Sequence, residues 1–185
     1  MNQLIELDHQ LLVFLNNLGT PFFDPIFMFI THQINWLPIF LLIAYLLIKN
    51  IGWKQFGILV LVLTLFFVFT DQMTNLVKNN TQRLRPVNNP NLIDQLRILR
   101  GSHSYSFFSG HASNSLGSIF IIYQILKRYY KYAALLFLFP LIFAYTRIYL
   151  ALHFPTDILV GYAFGLCSGY LFYWIYKKII LSIKY

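Results

Sequence analysis

Five long apolar stretches constrain the fold of this chain more than any other feature of its sequence. They cover residues 34–49, 53–77, 112–127, 132–151 and 156–176. A transmembrane helix needs about 20 mostly apolar residues to cross a hydrocarbon core of about 30 Å. The first stretch is therefore short, unless a preceding helix continues it across a break near Asn35, and residues 21–49 could form one interrupted span or two elements. Pro140 lies inside the fourth stretch and predicts a kink there.

The composition is that of a membrane protein. Hydrophobic residues make up 58% of the 185 residues and charged residues 11%, whereas soluble domains carry about 25% charged residues. The apolar stretches leave no segment for a second domain, so residues 1–185 are predicted to form one all-α membrane domain. Interfacial helices occupy residues 1–33, and a bundle of about five transmembrane helices occupies residues 34–176. The single cysteine, Cys167, excludes an intrachain disulfide and a thiolate metal cluster.

The N-terminal segment predicts two short helices at the membrane interface. Residues 4–18 place one apolar stripe on a helix that is otherwise polar, formed by Leu4, Leu7, Leu11, Phe14, Leu15 and Leu18. Such an amphipathic helix lies in the plane of the interface. Thr20 and Pro21 have the residue types of an N-cap and a first helical position, which predicts a second helix over about 21–32.

The charged residues divide unequally between the two sides of a five-helix bundle. The predicted inner loops and C-terminal tail hold eight basic residues and no acidic ones: Lys49, Lys54, Lys127, Arg128, Lys131, Lys177, Lys178 and Lys184. The other side holds six basic and six acidic residues. The chain is expected in the cell (inner) membrane. The positive-inside rule places the eight basic residues on its cytoplasmic side and the N-terminus on the extracytoplasmic side. The net charge of +8 is then a topology signal and not a nucleic-acid footprint.

Basic and polar residues recur at three places on the predicted outer side, within residues 78–86, 109–111 and 147–157. Charged groups are costly next to a bilayer, so their presence there is by default a functional hypothesis. Together the three places supply three permanent cations, two imidazoles and a carboxylate. That set has the chemistry of a phosphate-binding site with its own nucleophile and acid.

The last of these places combines a histidine, a carboxylate and an arginine. His153 and Asp157 are four residues apart, so they share a face if the final helix starts near His153. An aspartate that accepts one imidazole N–H leaves the other nitrogen free as a nucleophile. Arg147 offers a planar fork that suits phosphate oxygens. The plainer alternatives are an interfacial histidine, an aspartate that favours a helix N-terminus and a snorkelling arginine.

The other two places have similar alternatives. Lys78 and Arg85 are either ligands for an anion or part of a solvated basic loop. Ser109 and Gly110 are either a helix cap and turn or a backbone anion site, and His111 could protonate a leaving alkoxide. Independent plain explanations would not bring three anion-binding stretches to one side of the membrane, which favours a composite site.

The spacing of these residues resembles the three-part signature of the type 2 phosphatidic acid phosphatase family. The matching pattern is Lys78-x6-Arg85-Pro86, Ser109-Gly110-His111 and Arg147-x5-His153-x3-Asp157. The family includes vanadium haloperoxidases and bacterial undecaprenyl-diphosphate and phosphatidylglycerophosphate phosphatases. Two departures are Phe108, where the family often has proline, and Thr146, where it has serine. Neither departure removes a ligand, since Thr146 keeps the hydroxyl.

The resemblance implies a phosphate-binding role for five residues. Lys78, Arg85 and Arg147 would bind the phosphoryl oxygens. Ser109 and the Gly110 N–H would add hydrogen bonds. These groups would stabilise a charged transition state electrostatically.

The resemblance also implies a reaction. His153 would attack phosphorus to form a phosphohistidine, Asp157 would orient it, and His111 would protonate the leaving group before water hydrolyses the intermediate. No metal or other cofactor is expected, because the protein's own cations neutralise the charge. The expected substrate is a lipid phosphate or diphosphate in the outer leaflet. Undecaprenyl diphosphate comes first, followed by phosphatidylglycerophosphate, phosphatidate and the phosphate of lipid A.

Two rival functions use the same residues. A transporter or lipid-binding protein could hold an anionic headgroup without chemistry, although no internal duplication indicates an inverted-repeat transporter. A vanadate-dependent oxidation site is the other rival, and the membrane setting argues against it.

The remaining polar residues are expected to have plainer roles. Asp71, seven residues before Lys78, is expected to pair structurally with a site cation or an adjacent helix. Arg83, Arg97 and Arg100 could hold lipid headgroups, but a solvated loop is the expectation for them. An interfacial position is expected for His9, His32 and His103.

Overall fold

The computed structural model describes residues 2–183, and over that range it contains helices and loops with no strand. Six α-helices follow one another: α1 (Asn2–Asn17), α2 (Asp24–Ile30), α3 (Leu37–Thr81), α4 (Gly110–Leu126), α5 (Leu138–Tyr149) and α6 (Pro155–Ile183). Short 3-10 segments lie at Gln33–Trp36, Pro86–Asn88, Ile93–Gln95 and Ala133–Phe137. The prediction of an all-α chain is confirmed for these residues. Lys184, one of the predicted inner basic residues, lies outside them.

Helix α3 contains the first two predicted apolar stretches. Gly52 breaks it with φ 76° and ψ 164°, a conformation that glycine adopts without a steric penalty. Both halves contribute to one apolar core, with Ile43 and Leu47 from the first and Leu59 and Val62 from the second. By length and hydropathy, residues Gln33–Asn88 and Pro155–Ile183 qualify as membrane-crossing segments, and Ala133–Tyr149 is a shorter apolar segment. A count of five spans stays a prediction.

Helix α1 turns most of its apolar stripe outward and packs on the protein through a face that carries Asp8, Leu12 and Asn16. Leu4, Leu7 and Phe14 are 71%, 60% and 61% exposed, while Asp8 and Asn16 are buried. The Asn16 side chain donates to Tyr149 O at 2.7 Å and accepts from Arg97 N at 2.8 Å. The exposed stripe suits contact with lipid, as the sequence predicts, and these hydrogen bonds fix α1 to the bundle.

Two predicted details are wrong. Helix α2 begins at Asp24 and not at Pro21, because Thr20 O accepts from the N–H groups of Phe23 and Asp24 and closes a turn first. Pro140 does not kink a long helix. It lies in the first turn of α5, directly after a 3-10 segment, where its missing N–H removes no intrahelical hydrogen bond.

The contact between α4 and α6 depends on small residues. A Cβ added to Gly161 would lie 2.6 Å from Ser109 O and 3.1 Å from the Cβ of Ala112. This close approach lets Ser109 N donate to Asp157 O at 3.0 Å. The packing of α4 on α6 therefore places the Ser109 stretch beside the Asp157 stretch.

Replacing Gly161 with alanine is expected to lower the free energy of unfolding by about 1–3 kcal/mol, because the new methyl group between α4 and α6 meets a backbone carbonyl that cannot rotate away. The measurement is thermal unfolding of the purified protein in detergent. Gly57→Ala is the matched control, since a Cβ at Gly57 meets nothing within 4 Å. Equal melting temperatures for the two variants would contradict the role given to Gly161.

Candidate active site

His153 and Asp157 lie together at the junction between α5 and α6. His153 lies two residues before α6, which starts at Pro155, so the helix begins near His153, as the prediction required, although His153 itself is outside the helix. The pair still meets: His153 Nδ1 lies 3.4 Å from Asp157 Oδ2, and Phe154 N donates to the same oxygen at 2.9 Å. With Nδ1–H directed at the carboxylate, Nε2 carries the free lone pair.

The environment of His153 keeps its ring neutral at physiological pH. The side chain is fully buried, and burial lowers the pKa of His153 to about 4. The hydrogen bond to Asp157 acts in the opposite direction, and the nearby Arg85 charge lowers the pKa further. A neutral imidazole is the form that can act as a nucleophile.

Arg85 lies beside the free nitrogen of His153. Its Nη1 is 3.3 Å from His153 Nε2 and donates to Leu152 O at 2.8 Å. Ser104 fixes the rest of the guanidinium, because its carbonyl oxygen accepts from Nε at 2.9 Å and its Oγ accepts from Nη2 at 2.8 Å. An anion that approaches His153 would therefore meet a positive charge that is already positioned.

Arg147 reaches the same region from α5. It is only 5% exposed, and its Nη1 donates to Thr31 Oγ1 at 2.8 Å. Within residues 2–183, its Nε is buried without a hydrogen-bond partner. A buried donor without a partner is costly, so this group suits a ligand that brings an acceptor oxygen.

The Ser109–His111 stretch opens α4. Ser109 Oγ accepts from Ala112 N at 3.3 Å, so Ser109 is the N-cap that the plainer alternative describes. Gly110 is the first residue of the helix, where backbone N–H groups can face an anion. The His111 ring packs against Phe143 with ring centroids 5.7 Å apart. The cap role leaves the Ser109 hydroxyl hydrogen available to a ligand.

The predicted site residues lie close enough for their charges to act on one another. His111 is affected by the charges of Arg147, His153, Lys78 and Arg85. Lys78, in the last turn of α3, is half-buried, and its ammonium group interacts with the charges of Arg85, Asp157 and Arg147. Three separate stretches thus contribute charged or titratable groups to the region around His153. The catalytic role of each residue stays a prediction.

Sequence reasoning missed the role of Arg83, for which a solvated loop was predicted. Its Nη1 donates to Asp157 Oδ1 at 2.7 Å, and its Nη2 donates to Asp8 Oδ2 at 2.7 Å. The guanidinium also lies 3.9 Å above the Phe154 ring centroid. Asp8 in turn accepts from the N–H and the hydroxyl of Thr156 at 2.9 and 2.6 Å. Arg83 therefore joins α1 to the carboxylate that contacts His153.

Among the other polar residues, Arg97 and His9 make contacts that the predicted solvated and interfacial positions did not include, whereas the rest are exposed. Arg97 forms a salt bridge with Asp24 at 2.9 Å, whereas Arg100 is exposed. His9 stacks on Phe154 with centroids 5.1 Å apart. His32 and His103 are exposed. Within residues 2–183, no group of three or more His, Cys, Asp or Glu side chains is arranged to hold a metal ion.

A sequence signal for Asp8 and Asn16 exists in retrospect. Asp8, Leu12 and Asn16 recur every four residues and form the buried face of α1. Polar residues at that spacing, opposite the apolar stripe, indicate a helix held to a protein surface. No comparable pattern marks Arg83 or Thr31.

The PAP2 superfamily matches residues 52–181. The lipid A 4'-phosphatase of Bacteroides thetaiotaomicron is 38% identical over 186 residues, covering 98% of this chain and 82% of the relative. The lipid A 4'-phosphatase of Porphyromonas gingivalis is 27% identical, covering 95% and 75%.

Two solved structures are also similar. The transmembrane PAP2-type phosphatidylglycerolphosphate phosphatase from Bacillus subtilis has a TM-score of 0.74 at 21% identity, covering 97% of this chain and 89% of that one. At this identity the likeness concerns the fold. LpxE of Aquifex aeolicus has a TM-score of 0.62 at 26% identity, covering 95% and 94%.

Replacing Arg83 is expected to lower kcat more than it changes KM, because Arg83 holds the carboxylate that orients His153. Arg83→Gln should lower kcat by between about tenfold and about a hundredfold, as expected when a reacting group is misplaced by about 1 Å. Arg83→Lys keeps the charge but loses the fork that contacts two carboxylates, so its kcat should lie between that of the wild type and that of Arg83→Gln. The measurement is phosphate release from a lipid phosphate over a range of concentrations.

Asp94→Asn is the control for loss of a charge in the same loop between α3 and α4, since Asp94 is exposed. Its kcat is expected to match that of the wild type. An unchanged kcat for Arg83→Gln, or a loss seen only in KM, would contradict the positioning role.

Proposed function

The chain belongs to the PAP2 superfamily and is a membrane lipid phosphatase, and we propose that it removes a phosphate group from a lipid A-type glycolipid at the extracytoplasmic face of the inner membrane. One observation carries the proposal: a buried, neutral His153 has one nitrogen at Asp157 and the other beside Arg85. A nucleophile next to a phosphate-binding cation is what phosphoryl transfer through a phosphohistidine requires.

Similarity to known proteins supports lipid A as the first substrate. The relatives that align over nearly the whole chain are lipid A 4'-phosphatases, one of them 38% identical. The sequence alone put undecaprenyl diphosphate first and lipid A among the alternatives. Neither relative is named for a diphosphate, so undecaprenyl diphosphate becomes the alternative, together with phosphatidylglycerophosphate and phosphatidate.

In the first step, His153 Nε2 attacks phosphorus and the bond from phosphorus to the lipid oxygen breaks. Lys78, Arg85 and Arg147 hold the three non-bridging oxygens and neutralise the charge that they carry. His111 donates its proton to the leaving lipid oxygen. The phosphate dianion supplies the negative charge that keeps a proton on His111 among these cations.

In the second step, water replaces the imidazole. His111, now neutral, accepts a proton from the attacking water, and the phosphorus–nitrogen bond of the phosphohistidine breaks. Inorganic phosphate leaves and His153 returns to its neutral state. Asp157 stabilises the positive charge on the His153 ring in both steps.

A groove gives the lipid a route to this site. It has a volume of about 550 Å³, and its lining includes His111 and the apolar side chains Phe56, Leu63 and Leu47. A lipid chain could occupy the apolar part while the phosphate reaches His111. The asymmetry of basic residues supports an extracytoplasmic site.

The rival is a protein that binds or transports anionic lipids without chemistry. It would need the cations but not the contact between His153 and Asp157. That contact leaves a single imidazole nitrogen facing Arg85, which favours hydrolysis.

Wild-type protein is expected to release phosphate from lipid A, and His153→Ala is expected to release none, because no other group can form the intermediate. The measurement is phosphate release from a panel of lipid A, undecaprenyl diphosphate, phosphatidylglycerophosphate and phosphatidate with EDTA present. His32→Ala, at an exposed histidine, is the matched control. Binding without release by the wild type supports the rival, and activity that appears only after addition of a divalent ion contradicts the metal-free mechanism.

The pH dependence of kcat/KM follows from the lowered pKa of His153, about 4. Protonation abolishes the nucleophile, so the acidic limb should appear as the pH falls through that value. The activity due to neutral His153 should persist at about pH 5, well below the ordinary histidine pKa of about 6.5. An acidic limb centred at the ordinary value would show that His153 is not held neutral by burial.

A further inference from the structure

A carboxylate lies in the groove below the phosphate site. Asp71 is on α3, seven residues before Lys78, which corresponds to about 10 Å along the helix axis. Its side chain is exposed and lines the same groove as His111. Over residues 2–183, the salt bridges leave Asp71 without a cationic partner. An ionisable group at membrane depth is a functional hypothesis by default.

Asn114 holds this carboxylate in one orientation. It lies on α4, about one turn below His111, and its side-chain nitrogen donates to Asp71 Oδ1 at 2.8 Å. Its own oxygen accepts from Thr70 Oγ1 at 2.5 Å, and Thr70 is fully buried. The amide is thus fixed by the core on one side and presents its N–H to Asp71 on the other. The expected structural contact of Asp71 with a neighbouring helix is present.

The hydrogen bond from Asn114 leaves most of the acceptor capacity of Asp71 unused. An ionised carboxylate can accept about four hydrogen bonds, and Asp71 Oδ2 has no hydrogen bond from a described residue. The groove around it is largely apolar, with Phe67, Phe143 and Leu63 in its lining. A hydrogen bond to a charged acceptor is stronger in such surroundings than in water. A ligand that brings an O–H or N–H donor is therefore favoured there.

We propose that Asp71, held by Asn114, is a substrate-recognition site that accepts a hydrogen bond from a hydroxyl or amide N–H of the lipid close to its phosphorylated end. The proposal rests on the lipid phosphatase function above and deepens it. A glycolipid with amide-linked acyl chains carries such donors near its phosphate. Diacyl phosphatidate and polyprenyl diphosphate carry only acceptors and hydrocarbon in that region. Asp71 and Asn114 therefore select lipids that carry a hydrogen-bond donor near the phosphate.

The test compares lipids with and without donors in one enzyme. The donor-bearing probes are lipid A and ceramide 1-phosphate, and the probe without donors is dioleoyl phosphatidate, all in the same detergent. Asp71→Asn keeps the shape of the side chain but presents an N–H in place of an acceptor oxygen. It is expected to lower the ratio of kcat/KM for each donor-bearing lipid to that for phosphatidate by about tenfold or more. Phosphatidate turnover stays near the wild-type value and shows that the variant is folded.

Two further variants complete the design. Ser118→Ala is the matched control, because Ser118 lines the same groove but its hydroxyl donates to Ser115 O within its own helix at 3.2 Å. Its ratio should not change. Asn114→Ala releases the carboxylate while keeping its charge and should lower the ratio by less than Asp71→Asn does. It also provides the measurement if Asp71→Asn fails to fold.

The outcomes separate this proposal from the proposed function. An unchanged ratio in both Asp71→Asn and Asn114→Ala, or an equal loss with all three lipids, overturns the recognition site. If the wild type hydrolyses ceramide 1-phosphate and phosphatidate but not lipid A, the lipid A function fails. The recognition site is then tested by the ratio of kcat/KM for ceramide 1-phosphate to that for phosphatidate.

Discussion

The arrangement of the site depends on the contacts of Asp157, made by its buried carboxylate and by its backbone oxygen. Asp157 Oδ2 faces His153 Nδ1 and accepts from Phe154 N, and Oδ1 accepts from Arg83. The backbone oxygen of Asp157 accepts from Ser109 N. A single residue in the first turn of α6 therefore connects His153, the start of α4 and the loop after α3. Because the carboxylate is buried, losing any of these partners would leave a charge or a donor unsatisfied.

Around this contact, the protein concentrates positive charge that its own carboxylates only partly balance. Arg85 is held by neutral oxygens of Ser104 and Leu152, and Arg147 by the hydroxyl of Thr31. These partners orient the guanidinium groups without cancelling their charge. Under the proposed function, a phosphate dianion would supply the missing negative charge at a site whose guanidinium groups are already oriented. Binding of that anion would relieve the repulsion between the cations.

The N-terminal helices belong to this arrangement and are more than membrane anchors. Helix α1 reaches the site through Asp8 and Arg83, and the segment after α2 reaches it through Thr31 and Arg147. Both helices keep large apolar side chains on their outer faces. The outer faces of these helices therefore suit lipid, while Asp8 of α1 and Thr31, directly after α2, accept hydrogen bonds from Arg83 and Arg147.

The sequence by itself determined the all-helical character and the apolar segments, and it identified the candidate site residues, because burial of apolar surface and the cost of charge near a bilayer depend on residue type and local spacing. Only the tertiary structure decided which partner each long side chain meets. Arg83 is one of several arginines in a polar loop, and its contacts depend on the position of α1 beside α6, which no local pattern encodes. Local context also misplaced Pro140 and the start of α2, because the turn at Thr20 and the 3-10 segment before α5 shift the helix ends.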